Sequence, residues 1–162
     1  LSTRTWRLAG NPVAITPTAD QQIQPSFQSG ALAFTGARVL TSVWSVPLTA
    51  ENGKASGEAV RLTNDALDQM SPSISADGKR VVFTNEDMPQ HLHLVQADGT
   101  GYRQLTTGDE RNRQGSWSPQ GDWIAFQTNQ GESSLAAIHP DGGARQPIAV
   151  GRGFTNPRWS HP

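Results

Sequence analysis

The chain has 162 residues, with 16 Gly, 11 Pro, 17% charged and 35% hydrophobic residues. That length suits one ordinary domain, and frequent Gly and Pro without a long helix-forming stretch exclude a helical bundle. A formal net charge of −1 lacks the basic footprint of a general nucleic-acid binder, and zero cysteines exclude disulfides and thiolate metal sites. No run reaches the roughly 18 apolar residues of a membrane span, and no signal peptide is visible.

Residues 1–23 read as the third and fourth strands of a repeat unit. Trp6-Arg-Leu8 matches Trp44-Ser-Val46, and Ile15-Thr16 matches Leu62-Thr63. The first residue is Leu1, not methionine, which predicts a processed product or an excised piece. Residues 24–66 form the next unit, with Pro25-Ser-Phe27, Ala31-Leu-Ala-Phe34, Val43-Trp-Ser-Val46 and Arg61-Leu-Thr63 in order.

Residues 67–109 and 110–153 carry the clearest repeat. Ile74 matches Trp117, Ser75 matches Ser118, Gly78 matches Gly121 and Phe83 matches Phe126, each pair 43 apart, as are Leu62, Leu105 and Ile148 in turn. A fixed period of this size marks a repeat architecture. Asp77-Gly78, Gln120-Gly121 and Ser29-Gly30 are two-residue hairpin signals. Asp98-Gly99, Asp141-Gly142 and Asn52-Gly53 mark a second turn. Between these turns, Val81-Val-Phe83 and Ile124-Ala-Phe126 are apolar on both faces, as a strand covered by sheets on either side requires. Residues 154–162 then begin a further unit. Trp159-Ser-His-Pro162 breaks the expected Trp-Ser-Pro, and matches the start of a purification tag.

Four short strands per unit give an all-β fold: a β-propeller of four-stranded antiparallel blades, about three complete with partial blades at both termini. The units resemble the TolB-type, WD-like propeller repeat. The resemblance rests on Trp117-Ser-Pro-Gln-Gly with Ile124-Ala-Phe126, Asp77-Gly-Lys79 with Val81-Val-Phe83, and the Leu-Thr endings at 62–63 and 105–106. It covers about residues 24–160. Ala76 and Gln120 depart from the family's Pro and Asp, and residues 85–91 replace a family loop. The resemblance implies a periplasmic or otherwise extracytoplasmic setting, within a longer bacterial protein.

No catalytic motif is present: there is no G-x-S-x-G elbow, phosphate loop or dinucleotide fingerprint, and no enzyme activity or cofactor is expected. His91 and His93 alternate on the third strand of their unit and share a face. With no carboxylate partner they are read as part of a polar outer strand, and no metal site is expected. Four of the five Trp lie at repeat-equivalent positions, which points to packing between blades; Trp123 is the one expected to be exposed.

The densest charge cluster, Asp109-Glu110-Arg111-Asn112-Arg113, falls in a loop between units. Asp65, Asp68, Glu86 and Asp87 are expected on the same face. Loops on a rigid scaffold often bind partners, and Arg111 and Arg113 are the expected anchors, since guanidinium groups grip carboxylates bidentately. The resulting expectation is a non-catalytic module that binds or scaffolds a protein, with no nucleic acid and no membrane insertion. Homo-oligomers are also expected, including a two-fold ring with composite blades. Two other readings stay open: the gating propeller of a prolyl-oligopeptidase-like peptidase without its hydrolase domain, and an engineered fragment for studies of blade assembly.

Overall fold

The computed structural model describes residues 21–28, 31–37, 40–64, 68–130, 132–151 and 153–160. The chain divides into two units, Leu1–Val39 and Leu40–Pro162. In the first, β1 (Gln21–Gln28) and β2 (Ala31–Ala37) pair as an antiparallel hairpin. β1 begins inside the stretch assigned by sequence to the preceding partial blade; residues 1–20 of that stretch lie outside the described residues.

The described residues of the second unit form ten strands. β3 (Trp44–Ser45) and β4 (Val60–Arg61) form a two-stranded sheet. One four-stranded sheet follows, made of β5 (Gln69–Ile74), β6 (Arg80–Asn85), β7 (His91–Gln96) and β8 (Arg103–Gln104). Another contains β9 (Arg111–Trp117), β10 (Ile124–Gln130), β11 (Glu132–Ile138) and β12 (Gln146–Val150). Every pairing is antiparallel between consecutive strands, as in propeller sheets. The described residues contain no helix.

The tight turns form where Gly permits them. Gly78 and Gly121 have φ of 72° and 77°, the left-handed region that β-carbons disfavour. The Ser before each turn anchors it. Ser75 Oγ donates to Asp77 Oδ1 (2.6 Å) and accepts the Arg80 N–H (2.9 Å). Ser118 Oγ donates to Asp122 Oδ1 (2.7 Å) and accepts the Trp123 N–H (3.0 Å). Gln120 is therefore no loss: the carboxylate has moved from before the glycine to after it and makes the same anchor. The Ser75 hydroxyl, the Lys79 amide and nearby Arg80 hold the Asp77 carboxyl below its ordinary range.

Burial of β6 explains its unbroken apolar run. Val81 and Phe83 join Val43, Leu62 and Val95 in one cluster, whereas Val82 joins Leu92, Leu94, Trp117, Ile124, Phe126 and Ile138 in another. Neighbouring side chains point to opposite faces of a strand, so both faces of this sheet are covered. β7 is buried too, with Leu92, His93, Leu94 and Val95 all inside. This corrects the expectation of a polar outer strand. His93 stacks on Phe83, with ring centroids 5.7 Å apart, and lies beside Tyr102.

Each first strand carries an irregularity that the sequence pattern did not reveal. Ser71 and Gln114 have φ of 54° and 58°, and pairing skips a register step at Ser71-Pro72 and at Gln114-Gly115. The skipped pair lies opposite Phe83 in one sheet and Phe126 in the other. β1 makes the same skip at Gln24-Pro25, and Asn156 before Pro157 again has positive φ (48°). A bulge tolerates Pro because its missing N–H breaks no ladder bond there. The freed amides turn to other elements: Gln114 N–H donates to Thr84 Oγ1 and Asn156 N–H to Gln114 Oε1.

The Leu-Thr endings have a local reason. Thr63 Oγ1 accepts the Val43 N–H (3.1 Å), and Thr106 Oγ1 accepts the Leu92 N–H (2.9 Å), both in buried surroundings. Removing that oxygen strands a buried amide. Thr106→Val is expected to lower stability by about 1–3 kcal/mol, with Thr106→Ser recovering most of it in urea unfolding. Equal midpoints for the Val and Ser variants would dispose of this role.

Candidate functional site

The strand registers sort the loops to two ends. Gln69 pairs with Asn85 and Asn85 with His91 at one end, while Ile74 pairs with Val81 and Arg80 with Gln96 at the other. The charged residues singled out in the sequence, apart from Asp65, which lies outside the described residues, gather toward the first end.

Most of them do structural work. Asp68 Oδ1 accepts the N–H (2.8 Å) and hydroxyl (3.4 Å) of Thr41, whose oxygen in turn accepts the Gln69 N–H. The Glu86 N–H donates to the Asp68 carbonyl, and its carboxylate accepts from Gln90 Nε2. Glu110 pairs with Arg145 at 2.8 Å. Arg113 donates through Nε to Gln127 Oε1 (3.0 Å) on the neighbouring strand. Arg113 is therefore engaged within its own sheet, and is a poorer anchor for a partner than its charge implied.

Asn112, which the sequence reading passed over, holds this end together. It is fully buried; its N–H donates to the Gln90 carbonyl, its Nδ2 to the Glu110 carbonyl, and its Oδ1 accepts from Arg145. A buried amide can satisfy donors and acceptors in several directions at once. Burial pushes the nearby His91 imidazole down, opposed by Glu110 and assisted by Arg145.

Three charges remain turned outward. Arg111, Asp87 and Asp109 are exposed, and their side chains make no hydrogen bond or ion pair among the described residues. The described residues contain no group of three or more His, Asp or Glu placed to hold a metal.

At the opposite end, a cleft of about 370 Å³ opens beside the first strands, lined by Ile74, Ala76, Trp117, Pro119, Arg158 and Trp159. Its two tryptophans repeat one contact. Trp117 Nε1 donates to the Ser73 carbonyl (3.1 Å), and Trp159 Nε1 donates to the Ser116 carbonyl (2.9 Å). Arg80 lies over the Trp117 ring at 4.8 Å, a cation–π contact. These two tryptophans thus pack between units as their repeat positions predict. Trp44 does not: it is 56% exposed, whereas Trp123, expected outside, is half-buried and edge-on to His139.

The comparisons with known proteins agree with this architecture. A protein from Agrobacterium tumefaciens assigned as TolB superposes with a TM-score of 0.53 at 24% identity, covering 62% of this chain and 39% of its own. TolB from Acinetobacter baumannii superposes with a TM-score of 0.50 at 18% identity, covering 81% of this chain and 44% of its own. A puromycin hydrolase gives a TM-score of 0.48 at 26% identity, over 55% of this chain and 15% of its own. No family model and no curated protein matches the chain. The fold is that of a TolB-type propeller, and the chain spans less than half the length of the solved proteins it matches.

Proposed function

We propose that the chain is a non-catalytic propeller module that binds a protein partner through the loops at the Asn85–His91 end of its sheets. The observation that carries this reading is the division of the charged cluster. Asp68, Glu86 and Glu110 are engaged internally beside the loops and Arg113 within β9, not in a loop, while Arg111 at the start of β9, Asp87 and Asp109 face outward without partners among the described residues. A rigid scaffold that presents unpaired charges of both signs steers and orients a partner of complementary pattern. The three described histidines support a non-catalytic role: His93 lies in an aromatic cluster, His91 is half-buried, and His139 faces Asp141 in an exposed turn.

The repeat in the sequence divides this module into units at residues 24–66, 67–109 and 110–153. An extracytoplasmic setting fits the TolB-type fold.

Charge reversal at the outward residue tests the binding face. Arg111→Glu is expected to lose the proteins that cross-link to the wild-type chain in a bacterial periplasmic extract, identified by mass spectrometry, while the urea midpoint stays within about 0.5 kcal/mol of wild type. Identical cross-linked partners for both proteins, or turnover of chromogenic ester or peptide substrates by the purified chain, would remove this reading.

A further inference from the structure

The two junctions between successive sheets of the second unit are built to one plan but filled differently. Val43 and Leu92 hold the same place, since each donates its N–H to the Thr of a Leu-Thr ending. Counting along the strands, Ser45 then corresponds to Leu94, and Val60 to Arg103. Each of these is a cross-strand pair: Ser45 faces Val60, and Leu94 faces Arg103. The next unit contributes Ile74 to the first junction where it contributes Trp117 to the second.

At the second junction the large side chains close the space. Leu94 and Trp117 are buried in one cluster with Ile138, and the Arg103 guanidinium donates to the Pro140 carbonyl. At the first junction the equivalent carbonyl, Ala97, also receives a donor from the preceding sheet, but from the short Ser45 hydroxyl (2.9 Å). Serine, valine and isoleucine stand where leucine, arginine and tryptophan stand at the other junction. The space they leave is a groove of about 780 Å³ whose walls include Ser45, Pro47, Val60, Ile74 and Ala97. Ile74 is 57% exposed there, against 6% for Trp117. Glu58 and Asp98 stand in its lining, whose described residues include no cationic side chain. Glu58 has no partner among the described residues, and hydrogen bonds from Thr100 keep the Asp98 carboxyl below its ordinary range.

We propose that this groove docks an extended segment of a partner protein presenting a leucine-like side chain and an arginine on one face. The second junction supplies the template. An apolar side chain fills the space that Leu94 fills, and a guanidinium reaches the turn carbonyl as Arg103 does; Asp98 has its counterpart in Asp141, whereas Glu58 stands where the covered junction has Gly101 and adds a charge that junction lacks. In an extended peptide, residues two apart share a face, so a Leu-x-Arg sequence presents both groups together. This surface lies at the opposite strand end from the Arg111 loops and goes beyond the reading given above.

The full chain titrated with a fluorescein-labelled acetyl-Gly-Leu-Ala-Arg-Gly-amide peptide, followed by anisotropy, tests it. Saturable binding is expected, weakened about tenfold when glutamate replaces the peptide's arginine and about tenfold by Glu58→Lys at the exposed rim. Ser45→Leu with Val60→Arg rebuilds the filled junction and is expected to abolish binding. Arg111→Glu is expected to leave binding unchanged, which separates this groove from the loop face. Absence of saturable binding, or equal binding by wild type and Glu58→Lys, overturns the proposal. A dimer in sedimentation that the filled-groove variant dissolves, without peptide binding to wild type, assigns the groove to a second copy and also overturns it.

Discussion

Phe126→Ala is expected to lower unfolding free energy by about 4 kcal/mol, the range for deleting a buried aromatic ring from a close-packed core. Phe126 has no exposed surface and packs in the cluster that joins the β5–β8 and β9–β12 sheets, with Val82, Leu92, Trp117 and Ile124. The loss combines transfer of the ring to water with a cavity that rigid strands on both sides cannot collapse into. Urea unfolding should show a lower midpoint with unchanged slope, since the surface exposed on unfolding barely changes. Leu48→Ala, at a side chain 61% exposed, should stay within about 0.5 kcal/mol of wild type. A Phe126→Ala loss below about 1.5 kcal/mol would mean that the two sheets do not share this core.

Gly115→Val is expected to cost about 3 kcal/mol, the upper part of the range for overpacking a filled interior. Gly115 sits in the bulge of β9, and a β-carbon there would lie 3.1 and 3.2 Å from the Val82 methyl carbons and 3.3 Å from a Leu92 methyl carbon. Val82 and Leu92 are both fully buried, so neither has room to withdraw. Gly115→Ala should cost about 1 kcal/mol. Combined with Val82→Ala it should cost less than the sum of the two single changes, because one change vacates the space the other needs. Strict additivity in that cycle would show that the first strand does not press on Val82.

Much of the fold was legible because its determinants are local and repeated. Asp77-Gly78 and Gln120-Gly121 mark turns that only Gly makes cheaply, and the runs at 81–83 and 124–126 mark strands covered on both faces. The candidate site was less legible. Contiguity in sequence suggested that Asp109 to Arg113 act as one charged surface. Alternation along β9 instead turns Arg113 to Gln127 and buries Asn112, leaving Arg111 outward. A signal for Asn112 existed in the period of two along a strand, which gives Arg111 and Arg113 one face and Asn112 the other. The bulges had a signal too, in Pro25, Pro72 and Gly115 recurring inside the three first strands. Trp44 misled because repeat equivalence predicts position, whereas burial depends on what the neighbouring element supplies.

The sequence alone determined the all-β class, the repeat spacing, the tight turns and the double-faced burial of the second strands. Each follows from short-range chemistry: glycine at positive φ, side-chain alternation along a strand, and apolar surface that must leave water. Tertiary structure decided which charges remain free, how Asp122 replaces an aspartate missing from position 120, and which junction between sheets is open. Those outcomes depend on groups 37 to 52 residues apart meeting across sheets, such as the Ser45 hydroxyl with the Ala97 carbonyl and the Arg103 guanidinium with the Pro140 carbonyl. Volume and hydrogen-bond geometry at such meetings are set by both partners together, so neither segment carries the answer by itself.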